Sequence, residues 1–310
     1  MSAEYAFPWI RLSDGDSYCA SNRTTGDFMN FSAWIWGGTS KSGAEPVLVT
    51  GMHRSGTGAV VSCLRKLGLF TGWDLDANGE ARFFVRLDEA ILAATDARWD
   101  RPVPCAAALA DAAAARRLAG FVSEKLDSPM IARYSGPANA LLRRFPWLEK
   151  RPWGWKDPRL VFTMPVWLEI FPRLRVVLVT RHGVDVAASL ARRSSLAATS
   201  SSVAASPETS ELEGAFELWE EYMKHGHRIL KSSGAKCLCV RFEELVSRPS
   251  SVLAELASFC GLAPAEKAIG EASASLDKGR ALTHRKNPVL RAFALARRGR
   301  LAAWGYGEEE

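Results

Sequence analysis

No stretch of this 310-residue chain reaches the roughly 18 uninterrupted apolar residues that a membrane-spanning helix requires. The first residues, MSAEYAFPWIRLSDGD, lack the charged-then-apolar pattern of an export signal, so the expectation is a soluble, cytoplasmic protein. Cysteine is sparse: six residues without the spacing of a disulfide scaffold read as thiols in a reducing compartment. Cys237 and Cys239 stand two apart, which on a strand places both on one face, a packing pattern rather than a metal site. Runs of five or six basic residues are absent as well. The net charge of +6 favours anionic ligands without pointing to nucleic acid.

What the chain does have is a 47% apolar composition, enough for a sizeable core, and an alternation of strand and helix patterns. Residues 1–44 show no sustained period and read as an irregular N-terminal extension, with Trp34 and Trp36 as its packing residues. From Pro46 the stretch VLVTGMHRSGTGAVVSCL runs from a β-branched strand through a glycine- and hydroxyl-rich loop into a helix that ends at Gly68. Residues 72–125 read as mostly helical, with one helix predicted from the alanine-rich segment after Pro104. A short strand is predicted at Met130–Arg133, and RLRVVLVTR is the clearest buried strand, followed directly by the helix GVDVAASLARR. Residues 194–210 are Ser/Ala-rich and read as a mobile loop. Strands alternating with helices predict one α/β domain over 45–310: a three-layer α/β/α, P-loop-like arrangement with a central parallel sheet of about five strands and helical insertions.

The loop carries the chemistry. An ATP-binding loop reads GxxxxGK[ST], its backbone amides cradling phosphates and its lysine reaching the terminal ones. Gly51 and Gly56 keep that spacing, but Thr57 stands where the lysine belongs and Arg54 supplies the charge from the loop crown. Amides at a helix N-terminus and a guanidinium still make a site for two linked tetrahedral anions. In nucleoside triphosphatases a later strand ends in a magnesium-binding aspartate; here VVLVTR ends in Thr180 and Arg181. No place for a divalent cation is expected, and a further anionic group on the ligand is.

These residues resemble the sulfotransferases that use 3′-phosphoadenosine 5′-phosphosulfate. The resemblance runs from about Pro46 to Leu262 through GMHRSGT, WGWKDPR, RHGVDVAASLARR and VRFEELVSRP in that order, and it is closest to a bacterial-type branch. It implies that Gly51, Arg54, Ser55, Gly56, Thr57 and Gly58 grip the 5′-phosphosulfate, and that Arg181 and Ser189, eight residues apart, bind the 3′-phosphate. Arg54 would steady the bridging oxygen, and Lys156 would face the transferring group. Asp157 and Arg159 can equally form a structural ion pair. The general base falls by ungapped match on Glu80, with Asp88 second and His53 third. Arg280, Arg285 and Lys286 compare with a basic segment that closes over the nucleotide in relatives, while Arg192 and Arg193 read as exposed neighbours. The implied reaction moves a sulfuryl group to a hydroxyl or amine acceptor, a carbohydrate or other small metabolite, without metal. The acceptor pocket is expected from 72–128 and 194–215, where Phe83, Phe84 and Trp99 suit either a flat ligand or the core. A nucleotide-dependent kinase and a non-catalytic phosphoadenosine binder are the alternatives.

Overall fold

A computed structural model describes residues 45–141, 151–198 and 206–307. The extension 1–44 with Trp34 and Trp36, and most of the middle of the 194–210 segment, lie outside the described residues. Four strands, β1 Val47–Thr50, β2 Gly154–Lys156, β3 Arg175–Thr180 and β4 Lys236–Arg241, form one parallel sheet in the order β2-β1-β3-β4. The fold is thus the expected layered α/β arrangement, with four strands among the described residues where about five were predicted.

Among the described residues, nine helices of nine or more residues flank the sheet: α1 Thr57–Lys66, α2 Arg82–Ala94, α3 Ala112–Leu126, α4 Leu160–Ile170, α5 Gly183–Ala198, α6 Leu212–Ser232, α7 Pro249–Phe259, α8 Glu266–Ala274 and α9 Pro288–Ala296. Strand alternation divides them between two faces. Leu48, Trp155, Val176 and Leu178 point into a core shared with α2 to α6, whereas Val47, Val49, Val177, Val179, Leu238 and Val240 point toward α1, α7 and α8. Burial on both faces explains why β1 and β3 read as continuous apolar runs.

The sequence pattern misplaced some elements. The alanine-rich segment is two helices, because Asp111 accepts from the Ala113 amide and caps a new start. Residues 129–131 form a 3₁₀ turn rather than a strand: Pro129 at its first position cannot donate to a ladder, and Ser128 caps the Met130 amide. α5 runs on to Ala198, so the predicted loop begins later than residue 194, and Pro207–Thr209 is a further 3₁₀ turn. Phe83 and Phe84 belong to the core, Phe84 stacking on Trp155 at 3.9 Å.

Chain connectivity leaves β1 for β2 on one side, then returns to β3 on the other. The reversal lies between β1 and β3, and in open parallel sheets the crevice beyond the carboxyl ends at such a reversal is where ligands bind. The loop 51–56 leaves β1 there, and Arg181 leaves β3.

Candidate active site

The loop is built from backbone that ordinary residues avoid. Gly51, Arg54 and Gly56 have φ of 138°, 71° and 96°. A Cβ on Gly51 would sit 2.1 Å from the Val179 carbonyl oxygen, so glycine alone lets the loop pass this close to β3. Gly56 precedes α1, which has no side-chain cap and no acid in its first turn. Its leading amides are therefore left for an exogenous acceptor, and an anion satisfies them best.

The loop meets β3 and α5 directly. The Arg54 Nε donates to Ser189 Oγ at 2.9 Å, and Arg181 NH1 donates to the Arg54 carbonyl at 2.9 Å. Partial burial, followed by the charges of Arg193, Arg280, Arg181 and Arg192, lowers the Arg54 pKa from its ordinary value. Arg192 and Arg193 are exposed, as expected, yet they act on the loop. Four guanidiniums thus bear on Arg54, and among them Arg181 pairs with Asp185 and Arg280 with Asp277.

Asp185 is a residue that the sequence reading passed over, although RHGVD sets it one helical turn after Arg181. It pairs with Arg181 NH2 at 3.3 Å and accepts from Thr283 N, Thr283 Oγ1, His284 N and His284 Nδ1 at 2.8–3.1 Å. Burial would raise its pKa, but the His284 hydrogen bond and the Arg181 charge outweigh it and hold the carboxyl well below the usual range. The carboxylate thus fastens the segment around 280–286 beside the arginine, whose NH2 also donates to the Arg280 carbonyl at 2.5 Å. Arg285 and Lys286 stand exposed on this turn, while the Arg280 side chain pairs with Asp277 at 3.1 Å.

A second group lies at the ends of β1 and β2. Thr50 Oγ1 donates to the Asp157 carbonyl at 2.9 Å, which ties the KDPR turn to the start of the loop. Lys156 Nζ reaches Glu80 Oε1 at 2.7 Å, both side chains being almost fully buried, and Arg159 approaches Glu80 Oε2 at 3.6 Å. Arg159 also bonds Asp157 at 3.0 Å and Glu89 at 3.0 Å, so the ion pair foreseen with Asp157 exists and extends to Glu80. Burial, then the neighbouring Asp157, raises the Glu80 pKa despite the two cations.

Asp88, the second candidate base, is fully buried in the core. It accepts from Thr163 Oγ1 at 2.6 Å and Trp167 Nε1 at 2.8 Å, and burial pushes its pKa well up. Such an oxygen cannot meet an acceptor hydroxyl, because its side of α2 faces α4. His53, the third, packs edge-on against Trp99 at 4.8 Å. Burial and then the cations Arg159, Lys156, Arg193 and Arg54 keep its pKa well below the ordinary value, so the imidazole is neutral.

An uncapped helix N-terminus and a group of arginines thus lie together at the sheet reversal, with a buried Lys–Glu pair alongside. Residues 46–266 match the sulfotransferase family, and the chain belongs to that family. No curated protein sequence matches it. Similar solved structures include the sulfotransferase domain of the Synechococcus PCC 7002 olefin synthase, at 17% identity, covering 76% of this chain and 80% of that one with a TM-score of 0.41. The sulfotransferase STF1 of Mycobacterium tuberculosis H37Rv is 15% identical over 79% of this chain and 75% of its own, with a TM-score of 0.44. STF9 of Mycobacterium avium is 12% identical over 82% and 76%, with a TM-score of 0.43.

Proposed function

We propose that the chain transfers a sulfuryl group from 3′-phosphoadenosine 5′-phosphosulfate to a hydroxyl or amine acceptor. The observation that carries this reading is the direct contact of the two basic motifs, through Arg54 to Ser189 and Arg181 to Arg54, in one crevice at the sheet reversal. A ligand lying there meets the α1 amides, Ser55, Thr57 and Gly58 with one phosphate group and Arg181 and Ser189 with another.

The acceptor oxygen attacks sulfur in line, forming an S–O bond as the bond from sulfur to the 5′-phosphate oxygen breaks. Negative charge grows on the departing phosphate, where Arg54 and the α1 N-terminus oppose it. A preorganised cation needs no rearrangement at that moment. An arginine stays protonated, so Arg54 acts by its charge alone. The acceptor proton passes to Glu80, whose raised pKa brings its basicity nearer to neutral pH. Lys156 orients that carboxylate and faces the sulfuryl oxygens as they move. Arg285, exposed on the strapped turn, would add charge near the 3′-phosphate.

Transfer of radiolabelled sulfate from the donor to a panel of glycans, lipids and phenols tests the reading. Label should appear in at least one acceptor and be lost in Arg54→Ala. Donor binding without transfer to any acceptor class would favour a non-catalytic binder, and magnesium-dependent ATP turnover would favour a kinase.

A further inference from the structure

The last part of the fold carries a surface unlike the rest. Residues 278–307 contain eight Lys and Arg and no Asp or Glu. Arg280, Arg297 and Arg300 are engaged by Asp277, Glu213 and Glu220. Lys278, Arg285, Lys286, Arg291 and Arg298 are exposed and outnumber the three glutamates, Glu308 to Glu310, that follow.

Within this unit α9 is turned outward in an unusual sense. Asn287 caps it by accepting from the Val289 and Leu290 amides, and Ala294 is its buried residue, with Leu290 and Phe293 half-buried. At 3.6 residues per turn, Pro288, Val289, Ala292, Leu295 and Ala296 fall within an arc of about 120° on the opposite side. All five are exposed, Val289 at 72% and Leu295 at 63%. The solvent side of a surface helix is ordinarily polar. Here it is apolar, with Arg291 at its edge and Lys286 and Arg298 at its ends.

We infer that α9 and its flanking cations are a docking surface for an anionic lipid bilayer. A nine-residue helix is only about 13 Å long, and one side of it falls well short of the roughly 800 Å² per partner that a stable protein interface buries. A second copy of the chain would bring arginine against arginine. A bilayer interface asks for less: a few apolar side chains entering the acyl boundary and cations among anionic headgroups, each adding a modest increment. The surface is rigidly joined to the crevice, because Asp185 fastens Thr283 and His284, just before α9, and pairs with Arg181. Docking therefore fixes how the crevice is presented to a membrane. The inference does not depend on the reaction proposed above.

The test is flotation of the full chain with phosphatidylcholine vesicles containing or lacking phosphatidylglycerol. Binding to the anionic vesicles alone, weakening with salt, is expected. Val289→Ser with Leu295→Ser should weaken it by about tenfold, and Arg291→Gln and Arg298→Gln by about fivefold each, with melting temperatures unchanged. Absence of binding, or binding that ignores the apolar pair, would overturn the inference. So would a dimer in sedimentation that the apolar variants dissociate, or binding of polyglutamate with none of vesicles, since these outcomes assign the face to a second copy or an acidic protein.

Discussion

Glu80 sits between two cations, 2.7 Å from Lys156 and 3.6 Å from Arg159, and its burial outweighs both in setting its proton affinity. If Glu80 is the base proposed above, it must be ionised before the reaction. Activity should therefore fall as pH drops through a pKa above the ordinary glutamate value, and the acid limb of kcat/KM should vanish in Glu80→Gln. That substitution should lower kcat by about 10²- to 10⁴-fold while nucleotide binding measured by calorimetry stays unchanged. The sequence supplied the residues of this group but not their pairing. Glu80 and Lys156 are 76 positions apart, and nothing in ANGEARFF or WGWKDPR announces that the two side chains meet. Asp88 came from the same resemblance to the family's base segment, and only the Thr163 and Trp167 contacts reveal that it faces inward.

At the scale of elements, the β1–loop–α1 unit was legible because backbone geometry dictated its residues. The glycines at 51 and 56 have positive φ, and neither tolerates a side chain in the space available. Gly51→Ala drives a methyl group into the Val179 carbonyl at 2.1 Å, so β1 and β3 must separate locally. We expect a loss of about 3 kcal/mol or more in urea denaturation, whereas Gly68→Ala, with nothing within 4 Å, should pay only for its φ of 108°. β3 and α5 were legible for a related reason: a strand buried on both faces has no polar positions to blur it. The strap at 280–286 was legible only as a basic segment, not in what anchors it. Its hold on the site comes from four hydrogen bonds to Asp185, about a hundred residues earlier, and a loop of mixed Arg, Thr and Lys has no period to betray them. Asp185→Ala should release the strap, seen as faster hydrogen exchange at the Thr283 and His284 amides. It should also destabilise the protein by about 3–5 kcal/mol, because Arg181 loses its buried partner.

The whole molecule should weaken in mild acid. His182 stacks on His284 at 3.9 Å, and burial, followed by the His284 charge, lowers its pKa to about 3. An unfolded histidine binds its proton near pH 6.5. The unfolded chain thus holds more protons between those values, and the stability that neutral His182 contributes above pH 6.5 is lost as pH falls toward 3. The slope from this residue alone is about 1.4 kcal/mol per pH unit. Urea midpoints taken from pH 7 to pH 5 should fall for the native chain and fall less steeply for His182→Phe.

Fold and site are joined by one feature, the sheet reversal between β1 and β3 that brings Arg54, Arg181 and Ser189 to a single crevice. As proposed above, this crevice holds both phosphate groups of one adenosine nucleotide. Calorimetry with 3′-phosphoadenosine 5′-phosphate and with adenosine 5′-phosphate, on the native chain and on Arg181→Ala, tests it most directly. The substitution should weaken binding of the bisphosphate by about 10- to 100-fold and of the monophosphate hardly at all. Equal losses for the two nucleotides would contradict it.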